Sequence, residues 1–484
     1  MSANLIKTNT DKSSFIAVLV RTAEDTAHPL LQPLKKIITQ KMGDKENGIV
    51  TFYEDGYVLA ALLLKETAGK SAWDMLEEAR QKGGNVAKKI NNEKCNTVLL
   101  LRASDTISKE ELMACAEGIS LSNYQFNKYK KEGKQNALTD IHLNDAHVTQ
   151  EELDELKNVI DANELAKNLA NEPVNGLNAL QLSEKIVALG KELKFKTQIL
   201  HKEEIKKLSM GGLIGVNMGS SVPPTFNILE YNPGNAKNKK PLVIIGKGVM
   251  YDTGGYSLKP PQGMASMKGD MSGAAAVIGT FYAVVKNKLP VHLIGLIPST
   301  DNKINSDAMV PDDVIVMHDG TTVEILNTDA EGRLILGDAL SYAKQYDPAL
   351  VIDLATLTGA AAVITGSLGS AIMGTDTAYR NDLLMSGEMT HERLAEIPYW
   401  KEYGEMIKSD VADIKNIGGM VGGSATAGKF LEHFTDYPWL HLDIAGPAIL
   451  KEDEAYKQKG ASGIGVRLLH AFVKRFIEEP ERNA

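Results

Sequence analysis

Four runs in the second half of the chain are apolar at almost every position and then stop at glycine or a polar residue. They are Leu242–Gly248 (LVIIGKG), Val291–Asp301 (VHLIGLIPSTD), Ala349–Ala360 (ALVIDLATLTGA) and Trp439–Gly446 (WLHLDIAG). A strand with one wet face alternates apolar and polar residues, whereas a strand covered on both faces does not. Such runs, separated by helical patterns, specify a mainly parallel central sheet with helices over both faces. Ligands in sheets of this kind bind just beyond the carboxyl ends of the strands. Chemistry is therefore expected where these runs end.

The first part of the chain has a different character. Residues 1–150 alternate short β-like runs (FIAVLV, GIVTFY, NTVLLL) with Lys- and Glu-rich helical stretches, the rhythm of a smaller α/β domain, and hold no cluster of catalytic residue types. Phe15–Val20 follows a start without a basic region and reads as a first strand, not a targeting segment. From Val148 to Ala170, apolar residues (Leu153, Leu156, Ile160, Leu165, Leu169) recur at helical spacing behind Thr149-Gln-Glu-Glu, which has the form of a capping box. The expected organisation is an N-terminal α/β domain over 1–150, a linking helix over 151–170 and a larger domain over 171–484.

The hydrophobic share of 43% and charged share of 24% suit soluble domains, and the net charge of −9 disfavours a nucleic-acid or membrane surface. No apolar run approaches the ~18 residues of a membrane span. Two cysteines, Cys95 and Cys115, are too few for a disulfide framework or a thiolate metal site, so a reduced, cytoplasmic location is expected.

Residues 325–336 (ILNTDAEGRLIL) set two carboxylates and a guanidinium between apolar flanks, where charge is costly unless paired or bound to a metal. In an extended or loop-like segment Asp329, Glu331 and Arg333 project together. The run LILGDALSYAKQY has helical spacing, so a helix should begin near Gly332–Arg333 and offer backbone donors to an anion. The plain alternative is a salt bridge from Arg333 to Asp329 or Glu331.

Residues 243–273 add Lys247, Asp252, Lys259 and Asp270 on glycine-rich chain beyond a buried strand. Lys247 directly follows that strand, where an ammonium must either pair with carboxylates or lose its proton. Asp252, Asp270, Asp329 and Glu331 are four carboxylates at strand ends of one sheet. They cannot converge uncompensated, and two divalent cations supply the compensation. Oxygen ligands alone suit Mg²⁺ or Mn²⁺, and a lysine nitrogen shifts the balance toward zinc-like ions.

These residues resemble the leucyl aminopeptidase (cytosol aminopeptidase) family. The octet NTDAEGRL, Asn327–Leu334, matches the family signature without a change. Gly-Lys-Gly at 246–248, Asp-x-Gly-Gly at 252–255, Ser-Leu-Lys-Pro at 257–260 and Met-Lys-x-Asp-Met at 267–271 follow in order. NEPVN (171–175), ATLTGA (355–360), SDVADIKNIGG (409–419) and HLDIAG (441–446) extend the likeness over roughly 165–470.

The resemblance implies a metal-dependent aminopeptidase that removes N-terminal residues, preferably leucine or other bulky apolar ones. It implies two divalent ions, Zn²⁺ or Mn²⁺, one on Lys247, Asp252, Asp270 and Glu331, the other on Asp252, Asp329 and Glu331. It assigns Lys259 to the developing oxyanion and Arg333 to a bicarbonate proton relay. Met267 and Thr356 match the side-chain pocket, and backbone from Thr356 through Leu357 to Gly359 would align the peptide. It further implies a homohexamer with sites facing an internal cavity, the first domain being unrelated to substrate and free to help build the oligomer.

Four residues depart from the family pattern: Met250 and Tyr251 before Asp252, Ser272 after Met271, and Asp312 where the family has glycine between Pro311 and Asp313.

Other readings are weaker. Gly423-x4-Gly428-Lys429 is followed by Phe430 instead of Ser or Thr, and no buried strand leads into it, so it reads as a loop entering a helix, not a phosphate loop. A bimetal phosphoesterase would want more cations than Lys259 and Arg333. A DNA-binding side role is disfavoured by the negative net charge. His441 reads as a packed strand histidine, Asp443 as a cap or pair near the site, and Met271 and Met373 as core.

Overall fold

The computed structural model describes residues 2–42, 48–54, 56–65, 67–133, 135–419 and 421–479. Two compact α/β units result, one of residues 1–164 with 451–459, the other of 165–450 with 460–484.

The smaller unit has six strands: β1 (Asn4–Lys7), β2 (Phe15–Val20), β3 (Ile49–Glu54), β4 (Tyr57–Leu63), β5 (Thr97–Arg102) and β6 (Asp140–Leu143). Their order is β1-β6-β5-β2-β4-β3, and only β3–β4 is antiparallel. Phe15–Val20 is thus the second strand. Asn4–Lys7 precedes it as a four-residue edge strand, too short for its alternation to stand out in the sequence. Helices α1 (Ala72–Asn92) and α2 (Lys109–Ser122) each start with a reciprocal capping box, Ser71 with Asp74 and Ser108 with Glu111. Helix α3 (Gln150–Asn171) opens on the expected Thr149–Glu152 pair, the Glu152 amide donating to Thr149 Oγ1 at 3.2 Å.

The larger unit is built on nine strands: β7 (Lys196–His201), β8 (Thr225–Tyr231), β9 (Leu242–Gly246), β10 (Gly248–Asp252), β11 (Leu293–Asn302), β12 (Leu350–Ala355), β13 (Ser370–Gly374), β14 (Leu394–Glu396) and β15 (Trp439–Asp443). The four runs singled out above form its centre, β15-β12-β9-β11, entirely parallel. Its flanks are mixed: β13 runs antiparallel to β15, and β7 and β8 form an antiparallel pair beside β11. The flank strand β7 is largely open to solvent, with Leu200 buried, Thr197 and Ile199 half-buried and the others exposed.

Helices α4 (Ser272–Lys286), α5 (Gly332–Ala343), α6 (Gly359–Thr365) and α7 (Gly423–Glu432) pack around this sheet. Phe281 and Val277 of α4 lie over Gly295. Ile294 and Leu296, on the opposite face of β11, join one core with Leu334, Ile335, Leu336 and Leu340 of α5. The centre is therefore covered on both sides. That leaves the carboxyl ends of β9, β10, β11, β12 and β15 as the place where polar residues collect. Among the described residues no helix is long and apolar enough to cross a membrane.

Lys429 lies inside α7, 2.6 Å from Glu432 and over the Tyr399 ring at 3.9 Å. The glycine-rich segment is thus a helix entry, with its lysine engaged elsewhere.

Candidate metal centre

Each central strand delivers a side chain at its end. Lys247 follows β9, Asp252 closes β10, Thr356 follows β12 and Asp443 closes β15. Asp270 sits in the one-turn 3-10 segment Met267–Met271 that leads into α4, and Glu331 immediately precedes α5. Helix α5 begins at Gly332, as its spacing predicts. A Cβ at Gly332 would lie 2.7 Å from Lys247 Nζ, so only glycine lets this helix entry approach the lysine.

The predicted ligands meet. Lys247 Nζ lies 2.8 Å from Glu331 Oε1 and 2.9 Å from Asp270 Oδ2, and donates to the Thr356 carbonyl at 3.0 Å. Lys259 Nζ lies 2.8 Å from Asp252 Oδ2 and 2.5 Å from Asp329 Oδ1. Oxygens of Asp252, Asp329 and Glu331 fall within 4.8 Å of one another. Thr356 Oγ1 donates to Asp270 Oδ1 at 2.6 Å.

Four carboxylates against two ammonium groups leave an excess of negative charge in a largely buried setting. Burial opposes the Lys247 charge, but Asp270, Glu331 and Asp252 outweigh it and hold the ammonium protonated well above its usual range. The lysine therefore pairs and keeps its proton. Burial, then the charge of Asp252, pushes Asp329 up to about 6. Burial also raises Asp270 and Glu331, with neighbouring carboxylates adding to it. The donor set fits divalent cations: Asp270 Oδ2, Asp329 Oδ1 and Glu331 Oε1 are buried atoms that accept no directed hydrogen bond and rest only against the lysines.

Arg333 makes no salt bridge to Asp329 or Glu331 among the described residues. Its Nη1 donates to the Asn416 carbonyl at 2.7 Å, while Nε is buried and unpartnered. Burial lowers its pKa to about 10, which leaves it charged at neutral pH. A fixed guanidinium with a spare donor beside a helix N-terminus is suited to hold an anion.

Met267 is half-buried at the start of the turn that carries Asp270. Leu357 is held by its amide, which donates to Asp443 Oδ1 at 3.1 Å. Thr358 Oγ1 donates to Asp443 Oδ2 at 2.7 Å and caps α6 by accepting from the Ala361 amide, while Gly359 is exposed at the helix start. Asp443 thereby pins the middle of the 356–359 turn at Leu357 and Thr358. Asn416 does the same for the signature loop: its Oδ1 accepts from the Leu326 amide at 2.9 Å and its Nδ2 donates to the Asn327 carbonyl at 2.6 Å. Sequence reasoning missed Asn416, although it stands inside SDVADIKNIGG.

Of the departures, Met250 is buried, Tyr251 Oη donates to the Met264 carbonyl at 3.2 Å and Ser272 Oγ donates to the Gly269 carbonyl at 2.6 Å. Asp312 has φ 76°, the left-handed conformation that explains the family's glycine there. Met271 and Met373 are core residues, each 1% exposed.

Behind the centre, His441 Nδ1 lies 2.6 Å from Asp353 Oδ1, and Trp439 Nε1 donates to Asp353 Oδ2 at 2.7 Å. Burial alone would lower the His441 pKa, but Asp353 raises it above the ordinary histidine value. A raised histidine contributes stability that is fully present below its unfolded value and disappears as pH rises through the folded one. The melting-temperature deficit of Asp353→Asn, followed by calorimetry from about pH 5 to about pH 9, is expected to be largest at the acid end and to shrink as His441 is neutralised. A deficit that does not vary with pH would show that the pair carries no charge.

A small α/β unit, followed by a larger one whose carboxylates collect around two lysines at parallel strand ends, defines a class of α/β protein built for metal chemistry. The model of the cytosol aminopeptidase family's catalytic domain matches residues 164–470, and that of its N-terminal domain matches 68–133. The chain belongs to the cytosol aminopeptidase family. It is 49% identical over 315 residues to a probable cytosol aminopeptidase of Chlorobium limicola, a match covering 64% of this chain and 62% of that protein. A probable cytosol aminopeptidase of Geobacter sulfurreducens is 40% identical over 439 residues, 89% of this chain and 88% of the relative. Among solved structures, a mutant tomato leucine aminopeptidase superposes with a TM-score of 0.87 at 27% identity, over 98% of this chain and 96% of that one. A bottromycin maturation enzyme in complex with Mn superposes with a TM-score of 0.84, also at 27% identity, over 96% of this chain and all of the other.

Proposed function

We propose that this protein is a two-cation aminopeptidase that hydrolyses the first peptide bond of peptides, favouring leucine and other bulky apolar N-terminal residues. The observation that carries the reading is the gathering of Asp252, Asp329 and Glu331 oxygens within 4.8 Å, with Asp270 beside them and Lys247 and Lys259 as their paired counter-charges. Asp252, Asp270, Asp329 and Glu331 would hold two divalent ions, zinc or manganese, and Lys247, an ammonium in the metal-free chain, would join them by giving up its proton as the metal binds. Bound there, such ions supply a Lewis acid for the substrate carbonyl and acidify a water.

The chain's own groups do the rest. Lys259 carries a protonated amine at the mouth of the cluster and donates to the carbonyl oxygen as it gains negative charge. Arg333, through its unpartnered Nε–H beside the first amides of α5, would hold a bicarbonate-sized anion, which when bound would supply a base for proton transfer. Thr356 orients Asp270 through its hydroxyl, and with Met267 lines the space for the first side chain. Asp443 holds the 356–359 turn rigid so that its backbone aligns the peptide. A cytoplasmic homohexamer is part of the same reading.

The test is hydrolysis of leucine p-nitroanilide by manganese- or zinc-loaded protein, with and without chelator, alongside Asp329→Ala. Activity should vanish on chelation, return with metal and be nearly absent in the variant. Inactive loaded wild type, or a fully active Asp329→Ala, would sink the proposal.

A further inference from the structure

Asn302 closes β11, is 3% exposed and lies in register with Asp252 of β10. Its Nδ2 donates to Asp252 Oδ1 at 2.8 Å and to the Thr328 carbonyl at 3.1 Å. Both partners are acceptors only, so the amide orientation is forced by chemistry. Its backbone carbonyl accepts from the Thr253 amide and hydroxyl, each at 2.9 Å. Thr328 closes the ring by donating its hydroxyl to the Gly254 carbonyl at 2.6 Å. One side chain thus ties the loop after Asp252 to the loop that leads into Asp329 and Glu331.

We infer that Asn302 is a positioning residue for the cation site, fixing Asp252 in the orientation the bound ions need. The inference rests on the two-cation reading above. The Gly254 amide also donates to Asp252 Oδ1, at 2.8 Å, so two N–H groups saturate that oxygen. Oδ2, which contacts Lys259 at 2.8 Å, remains turned toward the cluster. A neutral amide is the group this place requires. It donates to a carboxylate without adding a cation that would compete with metal, whereas an aspartate would set a further anion against Asp252.

The experiment measures Mn²⁺ affinity of the full chain by competition with a chelating dye, for wild type, Asn302→Asp and Asn302→Ser, with thermal unfolding of each metal-free protein. Both variants are expected to fold and to bind Mn²⁺ roughly 10- to 100-fold more weakly. Excess Mn²⁺ should restore most of their activity on leucine p-nitroanilide. Unchanged affinity overturns the inference, as does loss of the fold in both variants without rescue by Mn²⁺, which would make the amide purely structural. Wild type that binds Mn²⁺ but cleaves no aminoacyl substrate would remove the aminopeptidase reading and leave Asn302 in place. Wild type that binds no Mn²⁺ would remove both.

Discussion

Glu331→Gln is expected to lower kcat/KM for leucine p-nitroanilide by roughly 1000-fold or more, on the order of 4 kcal/mol. Glu331 is 1% exposed, and its buried Oε1 lies 2.8 Å from Lys247 Nζ. The glutamine keeps the side chain's shape, but an NH₂ group replaces one carboxylate oxygen, and the anionic ligand that divalent ions would need is lost. The effect on stability has the opposite sign. Burial and the charge of Asp252 hold the Glu331 pKa above its ordinary value, so the folded chain keeps this proton to higher pH than the unfolded chain does. Ionisation above the ordinary glutamate range therefore costs the metal-free fold stability. The variant without metal should melt no lower than wild type at neutral pH, although its activity is gone. If it melts well below wild type, the Lys247 pair outweighs the repulsion and the site is not strained in the manner argued. Activity within tenfold of wild type would remove Glu331 from the metal set.

That contrast explains what the sequence made legible. Charges between apolar flanks are unfavourable for folding, and ILNTDAEGRLIL carries its purpose openly because nothing structural calls for them. The same holds for Lys247 behind an uninterrupted apolar strand. The parallel centre was readable because β9, β11, β12 and β15 are buried on both faces and so lack alternation. The start of α5 was readable from its spacing.

The residues that hold the site together were harder to see. Asn302 acts on chain 26 and 50 positions away and Asn416 on chain 83 to 90 positions away, distances that no local pattern bridges, whereas Asp443 reads from the sequence as a cap or pair near the site. Asn302 was nevertheless within reach of the strand-end rule, since it is the residue after the run VHLIGLIPSTD. The antiparallel flanks were hidden for another reason: which edge a strand joins depends on packing partners, not on its own pattern. Residues Lys451–Lys459 group with the first unit although they stand near the end of the chain. There Tyr456 is 1% exposed and sits against Gly84, an association that one buried aromatic in a polar stretch does not announce.

Lys259→Met separates chemistry from metal binding. Lys259 bonds Asp252 and Asp329 in the metal-free chain, and so stands where cation charge is needed; on the proposed reading, divalent ions would supply that charge and free its ammonium for the substrate carbonyl. Methionine keeps most of the apolar stem and removes the donor. kcat is therefore expected to fall by roughly 10²- to 10³-fold, the usual effect of deleting one oxyanion donor, with KM changed little. Affinity for Mn²⁺ should hold or rise, because a competing cation has left the carboxylates. For the same reason the metal-free variant should melt below wild type, and Mn²⁺ should close the gap. Dye competition and calorimetry read these effects without any substrate. A variant that loses its metal along with its activity would show that Lys259 builds the site and does not act on the reaction, and the oxyanion role would then pass to another donor.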